Sequence, residues 1–199
     1  MKKRIIIGIG GASGVIYGIR LLQVLQPLSD VETHLVVSRT GQLNIRVETD
    51  MSVEQVHGLA DVVYKPGDLA AAISSGSFQT HGMIVAACSM KTLSGIVHSF
   101  ADDLLIRAAD VCLKDRRPLV LMPREAPMHA GHCKLLHEAA QLGAIIAPPM
   151  PAFYNRPQTL DDIINLSCGR VLDLVEIDSD IVARWQGFDG NLPAEPNDS

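Results

Sequence analysis

Apolar residues along this chain fall into two alternating patterns, short continuous runs and longer stretches with helical spacing. Residues 4–9 form a β-branched run that predicts a buried strand, and residues 15–25 carry apolar side chains at the spacing of a helix. Further strands are predicted at 31–37, 61–64, 82–87, 117–122 and 144–147, and further helices at 44–48, 53–59, 93–99, 103–114, 132–142 and 160–174.

This alternation, without an internal repeat, predicts an α/β fold of the Rossmann-like or flavodoxin-like kind. It is a three-layer sandwich with a parallel sheet and helices on both faces. We expect one domain over residues 1–186 and a polar C-terminal tail over 187–199 that is either disordered or lies on a partner subunit. Ligands of such sheets bind beyond the carboxyl ends of the strands. The candidate site therefore comprises the segments 10–14, 38–39, 88–92, 123–125 and 148–154.

The segment Gly-Gly-Ala-Ser-Gly at 10–14 joins the first predicted strand to the first helix. Its glycines allow a sharp turn and a close approach to a ligand, and the N–H groups of the helix N-terminus favour an anion. Ser13 can cap the helix or contact that ligand. The dinucleotide fingerprint has a glycine where this chain has Ser13, so a phosphate or a flavin edge is favoured. The alternative is a turn that serves only helix–strand packing.

Composition narrows the class of protein. The 199 residues are 47% hydrophobic and carry a formal net charge of -5 with scattered basic residues, which argues against nucleic acid or an anionic membrane as partner. The four cysteines form no Cys-x-x-Cys pair, which predicts free thiols in a reducing compartment and a cytoplasmic protein. No apolar stretch is long enough to cross a membrane.

Hydroxyl and cationic side chains occur near the predicted strand ends and on the helices. Ser38, Ser89 and Thr92 are suited to a ribityl chain, a flavin edge or a phosphate. Lys114, Arg124 and Arg170 would form a phosphate pocket if they converge. The alternative for each cation is a solvated surface position or an ion pair.

Two acidic residues, Glu48 and Glu125, are candidates for moving a proton within a cationic pocket, or for ion pairs that hold the arginines. A metal site at His129, His132 and Cys133 is disfavoured, because Pro127 and Gly131 interrupt the segment and no acidic ligand has fitting spacing. Cys88 has no neighbouring base and is predicted to be a buried small residue.

Several segments together carry a specific resemblance. They are the glycine turn 10–14, Val37-Ser38, Glu48-Thr49, the stretch 88–93, residues 107–114, the run Arg117 to Glu125, the segment Pro-Pro-Met-Pro-Ala-Phe-Tyr at 148–154, and Gly169 to Leu172. The chain resembles the UbiX-like flavin prenyltransferases, which include the small B subunits encoded beside phenolic acid decarboxylases. Pro-Arg-Glu combined with Pro-Ala-Phe-Tyr is the most specific part.

The resemblance implies an enzyme that binds reduced FMN and dimethylallyl phosphate and needs no metal. The prenyl group is joined to flavin N5, and a fourth ring is then closed onto C6. The product, prenylated FMN, is the cofactor of a separate UbiD-like aromatic acid decarboxylase. The resemblance also implies a homododecamer built from trimers.

Site roles follow from the resemblance residue by residue. The flavin-binding positions are Gly11, Ala12, Ser13, Ser38, Ser89, Met90, Lys91, Thr92 and Arg124. The phosphate-binding positions, often completed across a subunit boundary, are Lys114, Arg124, Tyr154 and Arg170. Glu48 together with Ser13 matches the group that handles the ring proton, and Glu125 falls at an acid–base position.

The chain departs from the family pattern at residues 128–134 and at Leu69, where some members have an aromatic residue. Three alternatives stay open. The first is an FMN-dependent cysteine decarboxylase, disfavoured because residues 87–92 lack that group's Pro-Ala-Ser-Ala-Asn-Thr loop. The second is an NADPH-dependent reductase with Ser38-Arg39 at a ribose phosphate. The third is an accessory subunit of a phenolic acid decarboxylase that binds FMN without transferase activity.

Overall fold

The computed structural model describes residues 2–182, and within that range six parallel strands form one sheet in the order β3-β2-β1-β4-β5-β6. The strands are β1 (Lys3–Ile9), β2 (Val31–Val37), β3 (Val62–Tyr64), β4 (Gly82–Cys88), β5 (Leu119–Pro123) and β6 (Ile145–Ile146). The chain begins with β1 at the centre of the sheet and adds β2 and β3 on one side. It then crosses to the other side of β1, where β4, β5 and β6 follow in order. The predicted parallel α/β sheet is confirmed.

Seven α-helices connect or cover these strands within the described range. They are α1 (Val15–Leu25), α2 (Arg39–Glu48), α3 (Val53–His57), α4 (Met90–Val97), α5 (Leu104–Lys114), α6 (Ala130–Gln141) and α7 (Leu160–Asp173). Side chains of Ser38, Ser89, Asp103 and Thr159 accept hydrogen bonds from backbone N–H groups in the first turns of α2, α4, α5 and α7. These caps fix where the helices begin.

Alternate residues of the central strand enter two separate cores. Ile5, Ile7 and Ile9 are fully buried on one face, with apolar residues of α1 and α7. Ile6 is buried on the opposite face among residues of α4 and α5. Because burying one such side chain contributes about 1.5–3 kcal/mol, the sheet is stabilised from both sides. This is the predicted three-layer arrangement.

Several element boundaries differ from the sequence prediction, and two of them have a clear local reason. Helix α2 begins at Arg39 rather than residue 44, because the Ser38 hydroxyl accepts a hydrogen bond from the Gly41 N–H at 3.0 Å and starts the helix early. Strand β5 begins at Leu119 rather than 117, because the Arg117 backbone N–H donates to the Cys112 carbonyl at 2.8 Å and Pro118 has no N–H to donate. The predicted domain boundary at 186 and the tail 187–199 lie outside the described residues.

None of the helices in residues 2–182 has the length and apolar character needed to cross a bilayer.

Candidate active site

The carboxyl ends of four strands meet at one edge of the sheet, and each is followed by a glycine or polar segment. The turn 10–14 follows β1, Ser38 follows β2, Ser89 follows β4 and Arg124 follows β5. The neighbours β1 and β4 are also where the strand order reverses direction. In open parallel sheets this reversal opens a crevice that binds ligands. The candidate active site lies at this edge.

The first two glycines of the turn pack too closely on their neighbours to be replaced by residues with side chains. A Cβ at Gly10 would lie 2.5 Å from the Ala87 carbonyl oxygen, and one at Gly11 would lie 2.8 Å from the Thr40 Cβ. Gly14 has a φ of 103°, in the left-handed region that glycine adopts without strain. At Gly10 and Gly11 the turn therefore presents its backbone, rather than a side chain, to the crevice.

Three consecutive backbone N–H groups of the turn are available to a ligand. Those of Gly11, Ala12 and Ser13 donate to no acceptor within residues 2–182, whereas the Gly10 N–H donates to the Ala87 carbonyl at 3.0 Å. Successive unpaired N–H groups in a turn bind an anion or an electronegative ring edge. This arrangement fits the flavin edge that the sequence predicts here.

The N-terminus of α1 is occupied by Glu48, which the sequence pattern did not indicate. Glu48 Oε2 accepts hydrogen bonds from the Gly14 N–H at 2.7 Å and the Val15 N–H at 3.3 Å. A carboxylate is favoured there because the helix dipole is positive at this end. Of the two roles that the sequence leaves open for Ser13, capping of α1 is not the one observed. The exposed Ser13 hydroxyl bonds to none of the described residues, and Ser13 lines the crevice.

Two adjoining clefts extend from the turn. The first, of about 300 Å³, lies between the beginnings of α2 and α4, and the second, of about 340 Å³, reaches toward Arg124 and Glu125. They share Gly11 and Ser89. Between them they are lined by all the predicted flavin positions: Gly11, Ala12, Ser13, Ser38, Ser89, Met90, Lys91, Thr92 and Arg124.

The polar groups of these clefts are held by short-range contacts. The Ser89 hydroxyl accepts from the Thr92 N–H at 3.2 Å and lies 3.0 Å from the Thr92 hydroxyl. The Arg124 Nε donates to the Ser13 carbonyl at 3.3 Å, which draws this guanidinium to the turn. Burial raises the pKa of the Tyr17 phenol, and the nearby Arg124 charge opposes that shift. Arg124 thus supplies a fixed positive charge beside the glycine turn.

Tyr154 and Arg170 lie in a third pocket, of about 280 Å³, between the segment after β6 and helix α7. Arg170 Nη1 is 3.1 Å from Asp173 Oδ2, and its side chain is 65% exposed. This pocket also includes Met122 from β5, but Arg124 does not line it. A single chain therefore brings two of the four predicted phosphate-binding residues into one pocket and leaves Arg124 in a neighbouring cleft.

Lys114 lies apart from the other predicted phosphate-binding residues within one chain. It ends α5, immediately before the chain enters β5, and so lies near the amino ends of the strands, opposite the candidate site. Its Nζ is 2.7 Å from Asp115 Oδ1. Within one chain, Lys114 does not converge with Arg124, because a helix that follows one parallel strand returns to the opposite edge before the next strand.

Comparison with known proteins decides the family. A family model described as Flavoprotein matches residues 1–176. The flavin prenyltransferase UbiX of Escherichia coli K12 is 59% identical over 187 residues, which cover 93% of this chain and 99% of that protein. The chain belongs to the flavin prenyltransferase family.

Two solved structures of this family have nearly the same fold. A crystal structure of AnUbiX in complex with FMN and dimethylallyl pyrophosphate has a TM-score of 0.92 and 46% identity, covering 95% of this chain and 100% of that one. A dodecameric FMN-dependent UbiX-like decarboxylase from E. coli O157:H7 has a TM-score of 0.90 and 48% identity, covering 92% of this chain and 100% of that one. The predicted flavodoxin-like fold is confirmed, and so is the family.

One polar contact of the site was missed at the sequence level. The Asn44 Nδ2 donates to the Ala12 carbonyl at 3.1 Å, four residues before Glu48 on the same helix. Residues four apart share a helix face, so this spacing was a usable signal. Asn44 was nevertheless not among the predicted site residues.

The cysteines and histidines take ordinary structural positions. Burial raises the pKa of the Cys88 thiol to about 12, which is unsuited to a nucleophile and agrees with the predicted buried small residue. His129 caps α6 through its Nδ1, which accepts from the Gly131 N–H at 3.0 Å, and its ring lies 3.7 Å from the His132 ring at an interplanar angle of 33°. Across residues 2–182, no group of three or more His, Cys, Asp or Glu side chains is placed to hold a metal ion.

Proposed function

We propose that this chain transfers the dimethylallyl group of dimethylallyl phosphate to N5 and then C6 of reduced FMN, which is a substrate here. The observation that carries the proposal is the set of unpaired N–H groups at Gly11, Ala12 and Ser13, located at the sheet's reversal point in a member of this family. In the first step the N5–carbon bond forms, the carbon–oxygen bond breaks, phosphate leaves with the electron pair, and the proton on N5 is released to that phosphate or to water. No external oxidant or reductant is consumed.

The flavin-binding residues are proposed to be those that line the two adjoining clefts. Support comes from three features: the exposed backbone of the turn, the hydroxyls of Ser38 and Ser89, and the Arg124 guanidinium. Donors of this kind fix the orientation of a planar ligand. A flavin held here would keep an electron-rich face toward the prenyl group, which stabilises positive charge as it develops.

The phosphate end is assigned to Lys114, Arg124, Tyr154 and Arg170. Two guanidinium groups and a phenol can stabilise a leaving phosphate without a metal ion, because their charge and donors are fixed before the reaction. Tyr154 and Arg170 share a pocket separate from that of Arg124 within one chain. We therefore propose that these residues meet across a subunit boundary.

Ring closure requires proton movement. The prenyl double bond takes up a proton, C6 bonds to the resulting carbon centre, and C6 releases its own proton. We assign Glu48 as the acceptor of that proton, with Ser13 beside it. Glu48 Oε2 is held by the N–H groups of Gly14 and Val15, whereas Oε1 makes no hydrogen bond to a described residue. Glu125, which lines the same cleft as Ser13, is assigned as the second acid–base group.

We also propose that the chain assembles as a homododecamer built from trimers and acts in the cytoplasm. A solved relative is dodecameric. Exposed apolar side chains near the third pocket, Met150 at 69% and Phe153 at 71%, would be covered in such an assembly. The recipient of the product is proposed to be a UbiD-like aromatic acid decarboxylase, which the family resemblance supports. Light scattering that returned a fully active monomer would contradict the assembly.

An anaerobic spectral assay tests the proposed reaction. FMN is reduced in the presence of the protein and dimethylallyl phosphate, and the mixture is then reoxidised. We expect a new absorbance that is absent when dimethylallyl phosphate is omitted. If FMN binds but its normal spectrum returns in both mixtures, the chain is the FMN-binding accessory subunit instead. If FMN does not bind, the proposed site is wrong.

A further inference from the structure

The glycine turn depends on side chains from elsewhere for its conformation. Its own residues are glycines, an alanine and a serine whose hydroxyl bonds to none of the described residues. Glycine-rich segments have many accessible conformations and lose more entropy than others when ordered. If the N–H groups of Gly11, Ala12 and Ser13 are to bind a flavin, other parts of the chain must hold them in place.

Helix α2 supplies two contacts of this kind from one face. Asn44 Nδ2 donates to the Ala12 carbonyl at 3.1 Å, and Glu48 Oε2 accepts from the Gly14 N–H at 2.7 Å. The two residues are four positions apart, so their side chains point to the same side of the helix. The Asn44 side chain is half-buried, which shields its hydrogen bond from competing water.

The two contacts act on different peptide units. The carbonyl of Ala12 and the N–H of Ser13 belong to one peptide unit, which is planar, so fixing the carbonyl also fixes the direction of the N–H. The next peptide unit is held at both ends, since the Ser13 carbonyl accepts from Arg124 and the Gly14 N–H donates to Glu48. Only the unit held by Asn44 is fixed at its carbonyl while its N–H stays free for a ligand.

We propose that Asn44 is a positioning residue that orients the Ser13 N–H toward the flavin. This role rests on the proposed function, because it requires a flavin at the turn. Asn44 itself lines neither of the two clefts. Asn44 acts through the Ala12–Ser13 peptide, because its amide Nδ2 donates the hydrogen bond that fixes the Ala12 carbonyl.

Two substitutions isolate that group. Asn44→Asp keeps the shape of the side chain but replaces the donor by a carboxylate oxygen that repels the Ala12 carbonyl, and Asn44→Ala removes the side chain. Gln42→Ala is the matched control, because Gln42 is a half-buried polar residue on the same helix whose side chain bonds to none of the described residues. Each variant is measured for its melting temperature without flavin, its Kd for FMN, and the visible bands of bound FMN.

Both Asn44 variants are expected to bind FMN about tenfold more weakly, the effect of losing one hydrogen bond that orders a binding group. They should also shift the bands of bound FMN, because the flavin loses a donor whose direction is fixed. Gln42→Ala should match the unsubstituted chain in both measurements. A purely structural role would lower the melting temperature but leave the bands unshifted, and that result, or an unchanged Kd, would overturn the assignment. If the unsubstituted chain bound no FMN, the proposed function itself would fail.

Discussion

Replacing Glu48 by glutamine separates the two tasks that the structure assigns to this side chain. Glu48 accepts two backbone N–H bonds at the start of α1, at 2.7 Å and 3.3 Å. A glutamine has nearly the same shape, and its amide oxygen can accept the same bonds. It cannot take up the C6 proton, because a neutral amide is not a base near neutral pH. The variant should therefore keep the turn and lose the chemistry.

The expected magnitudes differ accordingly. Loss of the negative charge at a helix N-terminus should lower the free energy of unfolding by about 0.3–1 kcal/mol, since the hydrogen bonds persist. Loss of a general base should slow ring closure by about a hundredfold to ten-thousandfold. Prenyl transfer to N5 precedes loss of the C6 proton, so that step should continue at close to its normal rate.

Time-resolved absorbance of the reduced mixture is the assay. We expect flavin alkylated only at N5 to accumulate in Glu48→Gln, with FMN and dimethylallyl phosphate bound as in the unsubstituted chain. Glu54→Gln, an exposed carboxylate on α3, is the matched control and should form product at the normal rate. Complete product at the normal rate in Glu48→Gln would refute its assignment as proton acceptor.

Three further predictions concern other parts of the chain. Arg170→Ala should leave FMN binding intact but slow prenyl transfer about a hundredfold or more, because the leaving phosphate loses about 2–4 kcal/mol of stabilisation. Lys134→Ala is the control. Loss of FMN binding in Arg170→Ala would contradict the assignment of Arg170 to the phosphate end. Gly10→Ala would place a Cβ 2.5 Å from the Ala87 carbonyl oxygen and should lower both the melting temperature and FMN affinity, whereas Gly58→Ala, whose nearest neighbour would lie at 3.4 Å, should do neither. Burial lowers the pKa of His34, although its hydrogen bond to Glu32 acts in the other direction. The imidazole therefore takes up a proton more readily in the unfolded chain than in the folded one, and the free energy of unfolding should fall as the pH drops below about 6.5. In urea unfolding, the His34→Gln variant should lose this part of the pH dependence of the free energy of unfolding. The same pH profile in the variant and the unsubstituted chain would contradict this role of His34.

The alternating pattern of the sequence predicted the sheet because each strand is a continuous apolar run. Such a run is stable only where both of its faces are buried. The residues 82–87 were predicted as a strand on this basis, and the structure places β4 at Gly82–Cys88. The predicted strand ends also located the candidate site, because ligands of parallel sheets bind beyond the carboxyl ends of the strands. The flavin positions that the family resemblance implies fall in these strand-end segments and line the two clefts.

Contacts between distant segments could not be predicted in the same way. That Glu48 caps α1 depends on how α2 lies against the glycine turn, 34 residues earlier in the chain, and local spacing carries no information about this. Lys114 was grouped with Arg124 by its charge and by the family resemblance. Within one chain the helix that bears Lys114 ends at the opposite edge of the sheet, so a meeting of the two across a subunit boundary stays a prediction. A residue type indicates which ligand a side chain suits, whereas the fold determines where that side chain lies.

The most direct test of flavin prenylation is the mass of the flavin released from the protein after reaction. Reduced FMN is incubated anaerobically with the purified chain, with or without dimethylallyl phosphate, and the flavin is extracted and analysed by mass spectrometry. A flavin heavier than FMN by one prenyl unit, found only when dimethylallyl phosphate is present, is the predicted result. Recovery of unmodified FMN from both mixtures would contradict flavin prenylation by this chain.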